Sequence, residues 1–179
     1  VGPLRPTIRV TTITILIPLV IAGAVAAQDR PTVTVGVVVD GQSERMASLG
    51  EGLRRELFTL TGADFDLRFP DDKTIVADWT MESVHSGLDR LLADPEVDLV
   101  ITLGAIASYA ASLRSDFPKP VIAPLAIDAE VQGFPYDPET DSSGVDNFTY
   151  ANILSPTARD VSIFRRIQPF AKLAVVVQS

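Results

Sequence analysis

Residues 33–39 (VTVGVVV) form a β-branched run interrupted only by Gly36 and without a charge on either side. This is the pattern of a strand buried on both faces, and hence of a parallel sheet. Runs of the same kind recur at 97–103 (VDLVITL) and at 121–125, the latter with Pro124 near its end. Between them the spacing turns helical. Ser43 stands as an N-cap ahead of Met46, Leu49, Leu53, Leu57 and Leu60, which share one face up to Gly62, a natural helix stop. Residues 65–69 (FDLRF) alternate as a more exposed strand at an edge would. Asp78 caps a second helix whose Met81, Val84, Leu88, Leu91 and Leu92 form one stripe, broken by Asp94-Pro95. A small-residue helix over 105–114, with Ile106, Ala110 and Leu113 inward, ends before Pro118.

From 126 to 145 the pattern lapses into a Pro-, Gly- and acid-rich surface connection, long enough to suggest function or motion. Residues 147–153 (NFTYANI) read as a short fifth strand. Ser155-Pro156 opens another helix with Val161, Phe164 and Ile167 as its buried face, closed by Pro169. Residues 173–177 (LAVVV) are again a strand of the buried type.

Strands and helices alternating at this pitch predict an α/β fold: a doubly wound parallel sheet with right-handed crossovers. Its expected order is the flavodoxin-like 2-1-3-4-5, counting the five strands up to residue 153. The 173–177 strand would need cover that the last two residues cannot supply. The expected organisation is therefore an N-terminal lobe over 28–153, then a crossover helix and first strand of a truncated second lobe over 154–179.

Ahead of this, residues 1–9 carry Arg5 and Arg9 with no acid, and 10–27 are uncharged and end on small residues. That is the layout of a secretory signal peptide over 1–27, with the mature chain starting at Ala27 or Gln28. The alternative is a retained anchor, which Pro18 and the threonines weaken as a spanning helix. Either way the remainder is extracytoplasmic. The net charge is −8, and removing the two arginines makes it more acidic, which makes nucleic acid and anionic membrane surfaces poor partners, so that no nucleic-acid partner is expected. The absence of cysteine removes disulfides, thiolate metal sites and cysteine nucleophiles together, which suits a bacterial periplasmic protein.

The runs VDLVITLGAIASYAASL, KPVIAPLAIDAEV and DNFTYANILSPTARDVSIFRRIQPFAKLAVVV resemble the periplasmic substrate-binding proteins of uncharacterised ABC transport systems. That group has the type 1 periplasmic-binding fold and includes aromatic amino-acid binders. The likeness covers roughly 33–177. It implies a two-lobed clamshell, of which this chain holds the first lobe. It further implies a small-molecule solute, an ABC permease in the inner membrane as partner, and a monomer when full length. Asp128 falls where the resembling proteins carry an aspartate, although the threonine usual before it is Ile127 here.

Open parallel sheets hold ligands outside the carboxyl ends of their strands, at the point where strand order reverses. The rule selects Asp40, Gly41 and Gln42 after the first strand, Gly104, Ala105 and Ile106 after the third, residues 126–128 after the fourth, and Tyr150. The helix opening at Gly104 would offer free N–H groups and a positive dipole end to a carboxylate or phosphate, with Ser108 adding a hydroxyl. Gly104 could equally serve only a tight strand-to-helix turn, Asp40 only its own turn, and Tyr150 only the core. Trp79 reads as a packing residue at a helix start, and His85 as part of a solvated helix face.

Catalytic signatures are missing: one histidine, no G-x-S-x-G elbow, no phosphate loop and no dinucleotide fingerprint. The expectation is a non-enzyme without metal or cofactor. It would be either the solute-binding component of an ABC-type transport system or, alternatively, the sensing domain of a membrane-anchored receptor.

Overall fold

The spine of the structure is β1 (Thr32–Val39), buried from Val35 onward because its β-branched residues meet helices on both sides. The computed structural model describes residues 30–154, 157–172 and 174. Residues 1–27, the Ser155-Pro156 cap and all of the 173–177 run but Ala174 lie outside the described residues. After β1 come α1 (Glu44–Thr61), β2 (Asp66–Arg68), a single 3₁₀ turn, β3 (Thr74–Val76) and α2 (Met81–Ala93). Then follow β4 (Leu99–Leu103), α3 (Ala105–Ser112), β5 (Val121–Ile127), α4 (Ala129–Gln132), β6 (Phe148–Ile153) and α5 (Thr157–Ile167).

The sheet runs β2-β1-β4-β5-β6 and every neighbouring pair is parallel. This is the expected doubly wound α/β order, with one strand that the sequence reading left out. That strand, β3, shares an edge of β1 with β2. The pairing of β2 covers Thr32–Thr34 and that of β3 covers Val37–Val39. Pro70 and the 3₁₀ turn interrupt the edge between them. Lys73, in that turn, reaches Asp94 and Glu96, each at 2.8 Å, and so ties the edge to the turn after α2.

Two apolar layers flank the sheet. On one face Val38, Val100, Val121 and Phe148 pack under Val84, Leu88 and Leu91 of α2 and Ala107 and Ala110 of α3. On the other, Val35, Val37, Val39, Ile101 and Leu103 meet Met46, Leu53 and Leu57 of α1. The α1 stripe is narrower than its periodicity predicts, since Leu49 and Leu60 are exposed. Leu113, Phe164 and Ile167, expected to point inward, are exposed as well. Shared spacing establishes that residues lie on one side of a helix, not that anything covers that side.

Three local readings also change. The N-cap of α2 is Thr80, whose Oγ accepts the Ser83 N–H, while Asp78 in turn accepts from Thr80. The fourth strand continues past Pro124 to Ile127. Proline has no N–H to give the ladder; β4 and β5 pair only at Val100–Val121 and Ile101–Ile122, and the β5–β6 register shifts between Ala123 and Ala126. The connection after β5 contains α4 and is anchored by buried Phe134 and Ser143. Among the described residues no helix is long and apolar enough to cross a membrane.

Leu88 is fully buried and Leu113 is 57% exposed. Leu88→Ala is expected to lower unfolding free energy by about 2–5 kcal/mol, and Leu113→Ala by no more than about 0.5 kcal/mol. Urea denaturation of the two variants checks the difference.

Candidate functional site

Because all strands are parallel, β1, β3, β4, β5 and β6 deliver their carboxyl ends to one edge of the sheet. The order reverses between β1 and β4, so Asp40 and Gly104 face each other there. The Asp40 N–H donates to the Leu103 carbonyl at 3.2 Å. Its side chain turns to the opening of α3: Oδ2 accepts from the Ile106 N–H at 2.9 Å and Oδ1 from the Ala107 N–H at 2.7 Å. The carboxylate thus satisfies the donors that a helix start leaves unpaired and sits at the positive end of the dipole.

Gly104 makes the approach possible. Its φ is 139°, and a Cβ built there would lie 2.1 Å from the Asp40 carboxyl carbon. Asp40 itself is buried. Burial pushes its carboxyl above the usual carboxylate range, and the N–H donors of Ile106, Ala107 and Ala105 pull it only part of the way back.

This geometry corrects the anion site expected at Gly104. The helix end is occupied by a carboxylate from the chain's own β1, and an external anion would have to displace it. Ser108 is fully buried, and its hydroxyl donates to the Thr102 carbonyl at 3.4 Å. Gly104, Ser108 and Asp40 therefore form a closed joint, with half-buried Ile106 donating into it and Ala105 reaching its outer rim. Tyr150 is likewise structural: its hydroxyl donates to the Pro135 carbonyl at 3.0 Å, and its ring lies 5.1 Å from Phe134 and 5.9 Å from Phe148.

The other selected positions surround this joint. Gly41 is buried and Gln42 exposed. Asp128 has left-handed backbone, with φ 46°, at the start of α4; its N–H donates to the Ile153 carbonyl, and Asn152 Oδ1 accepts the Ala129 N–H.

Trp79, which reads from sequence as a packing residue, also stands at this edge and lines its larger hollow. It follows β3, and its N–H donates to the Asp40 carbonyl at 2.7 Å. Its φ is 69°, a conformation that costs a bulky residue about 1–3 kcal/mol. The ring lies on Gly41, where an added Cβ would be 2.3 Å from it, yet the residue is 48% exposed. A strained and half-exposed indole is a poor use of core material. Recognising β3 would have exposed the signal, because the same strand-end rule then places Trp79 on the carboxyl edge.

Two hollows open beside these residues. One, of about 430 Å³, lies between α1 and the sheet and is lined by Val37, Val39, Met46, Leu53 and Phe69. The larger, a groove of about 1050 Å³, runs from the start of α1 along the ends of β5 and β6. Arg45, Trp79, Leu125, Ile127 and Ile153 line it, with Asp40 and Ala105 at its base. Among the described residues no group of three or more histidine, aspartate or glutamate side chains is placed to hold a metal ion.

The fold and site together define a doubly wound α/β lobe whose reversal point is sealed from within and whose open groove lies alongside. No family model, no curated protein and no solved structure matches this chain.

Asp40→Ala leaves the two α3 donors unpaired and is expected to cost about 1–3 kcal/mol of unfolding free energy. Because the folded carboxyl lies above its ordinary value of 3.8, the folded state holds a proton that the unfolded chain has released. The stability of wild type relative to Asp40→Asn should therefore be highest below about pH 3.8 and fall as pH rises through the raised value. Asp78, Asp94 and Asp137 are shifted downward and have the opposite sign, but they are common to both proteins and cancel. Denaturation at a series of pH values measures the difference; a flat profile contradicts it.

Proposed function

We propose that this chain is the extracytoplasmic solute-binding component of an ABC-type transport system. It would hold a small molecule at the carboxyl edge of its parallel sheet and pass it to an inner-membrane permease. The observation that carries the reading is the open groove at that edge. It is lined mostly by apolar side chains with few polar groups, as small-molecule sites are, and it lies on the side where parallel sheets take ligands. The signal-type segment 1–27 supports a periplasmic location after export. Binding without chemistry fits a groove whose one acid among the described residues, Asp40, is engaged by the N–H groups of α3 and is not directed at a solute.

The uncharged stretch 10–27 also supports a second reading, in which it is retained and the lobe senses a solute for a membrane-anchored receptor. Intact-mass measurement after bacterial export separates the two. A product beginning at Ala27 or Gln28 is expected, whereas an uncleaved chain favours the receptor.

Thermal unfolding of the chain against a panel of amino acids, aromatic acids, sugars and nucleosides tests binding itself. One chemical class is expected to raise stability by about 2.7 kcal/mol at a hundredfold excess over its Kd, with the solute recovered unchanged. Conversion of any panel compound contradicts the proposal.

A further inference from the structure

We propose that the smaller hollow, between α1 and the sheet, is a second binding site, built for an unbranched aliphatic chain that ends in a carboxylate held by Arg54. The hollow is separate from the groove assigned to the solute, because α1 rides between the two. Ala47, Gly50 and Arg54 line the hollow from one flank of the helix, whereas Arg45, Leu49 and Gly52 line the groove from the other. Met46 and Leu53, between the flanks, pack on the sheet. None of the 18 residues of α1 is buried, although Val37, Val39 and Leu103 beneath it are. The helix thus roofs the sheet without filling the space under its β3-side flank. That space, about 430 Å³, is in the size range of small-molecule sites. Protein interiors are otherwise close-packed, and water there would find few polar partners along Val37, Val39, Leu53 and Leu103.

Shape and chemistry choose the guest. The lining follows α1 from Ser43 to Arg54, about 16 Å at the helical rise of 1.5 Å per residue, so the hollow is a trench that suits a chain. Phe69 is the one aromatic among the described residues of the lining. Its ring already carries the Arg54 guanidinium carbon 5.1 Å from its centre and meets Phe58 at a steep angle. What remains for a guest is aliphatic. Arg54 is half-buried, and its Nη2 donates to the Thr74 Oγ1 at 3.3 Å. Phe69 and Thr74 both line the hollow, so these two contacts fix the guanidinium at its wall. Of the five N–H donors of a guanidinium, Thr74 takes one, and Arg54 forms no ion pair among the described residues. Glu51, the one acid among the described residues of the lining, is exposed and is not paired with it. A positioned cation with donors to spare at the end of an apolar trench matches a carboxylate on an alkyl chain.

Titration of the full chain with hexanoate, octanoate and octanamide tests this, with thermal midpoints and two-dimensional ¹H–¹⁵N NMR read in parallel. Octanoate is expected to raise the midpoint saturably and to shift the Val39, Arg54, Phe69 and Thr74 amides. Affinity should rise about fourfold for each CH₂ added between hexanoate and octanoate. Octanamide should bind wild type about tenfold more weakly than octanoate, and Arg54→Gln should remove that difference; the wild-type comparison stands even if the variant does not fold. Absence of octanoate binding, or equal binding of acid and amide by wild type, overturns the proposal. Octanoate binding with shifts confined to Ile127 and Ile153 overturns it too, and places the chain in the groove, where it would support the solute-binding reading instead.

Discussion

A buried carboxylate joins the two halves of this fold. Asp40, at the end of β1, bonds to N–H groups of α3 that lie 66 and 67 residues further along the chain. Where strand order reverses, no crossover helix links the adjacent strand ends, so something else must hold them. Here a charge at the positive end of a helix does so, and Gly104 is glycine because any side chain there would occupy the carboxylate's place. The penalty is visible in the carboxyl's raised proton affinity: removal from water outweighs the donors that surround it.

This joint decides what the rest of the edge can do. A helix start opening on a crevice is a ready anion site, but one already filled by a side chain offers little to a solute. The opportunity moves outward, to the groove between α1 and the ends of β5 and β6. The β4–β5 ladder stops after two pairs, ahead of Pro124, which has no N–H to give it. Trp79 contributes through its hydrogen bond to the Asp40 carbonyl, which places an aromatic surface beside the sealed crevice. Joint and groove are thus linked through a single residue's two ends, with the Asp40 side chain closing one and its backbone bracing the other.

The sheet was legible because its central strands are predominantly apolar runs, at 33–39, 97–103 and 121–125. β3 escaped notice because three residues, Thr74-Ile75-Val76, carry no period and follow a charged turn. The exposed Leu60, Leu113 and Ile167 were misplaced for a different reason. Periodicity sorts residues by helix face, while cover depends on what the tertiary fold brings against that face. At the site, the strand-end rule located Asp40 and Gly104 correctly as neighbours of the crevice, but it could not show that each occupies the other's space. Trp79 reads from sequence as a packing residue; its left-handed backbone and half-exposed ring, which set it apart, are not written in a local motif.

The central claim is that the crevice stays sealed by Asp40 while the groove beside it receives the solute. Two-dimensional ¹H–¹⁵N NMR of the chain titrated with the panel compound that raises its thermal midpoint tests it most directly. Shifts concentrated on the Trp79 indole N–H, Ile127 and Ile153, with the Ile106 and Ala107 amides unchanged, are the predicted result. Large shifts at Ile106 and Ala107, with the Trp79 indole unmoved, would mean that the ligand has taken the place of Asp40 and would contradict the account.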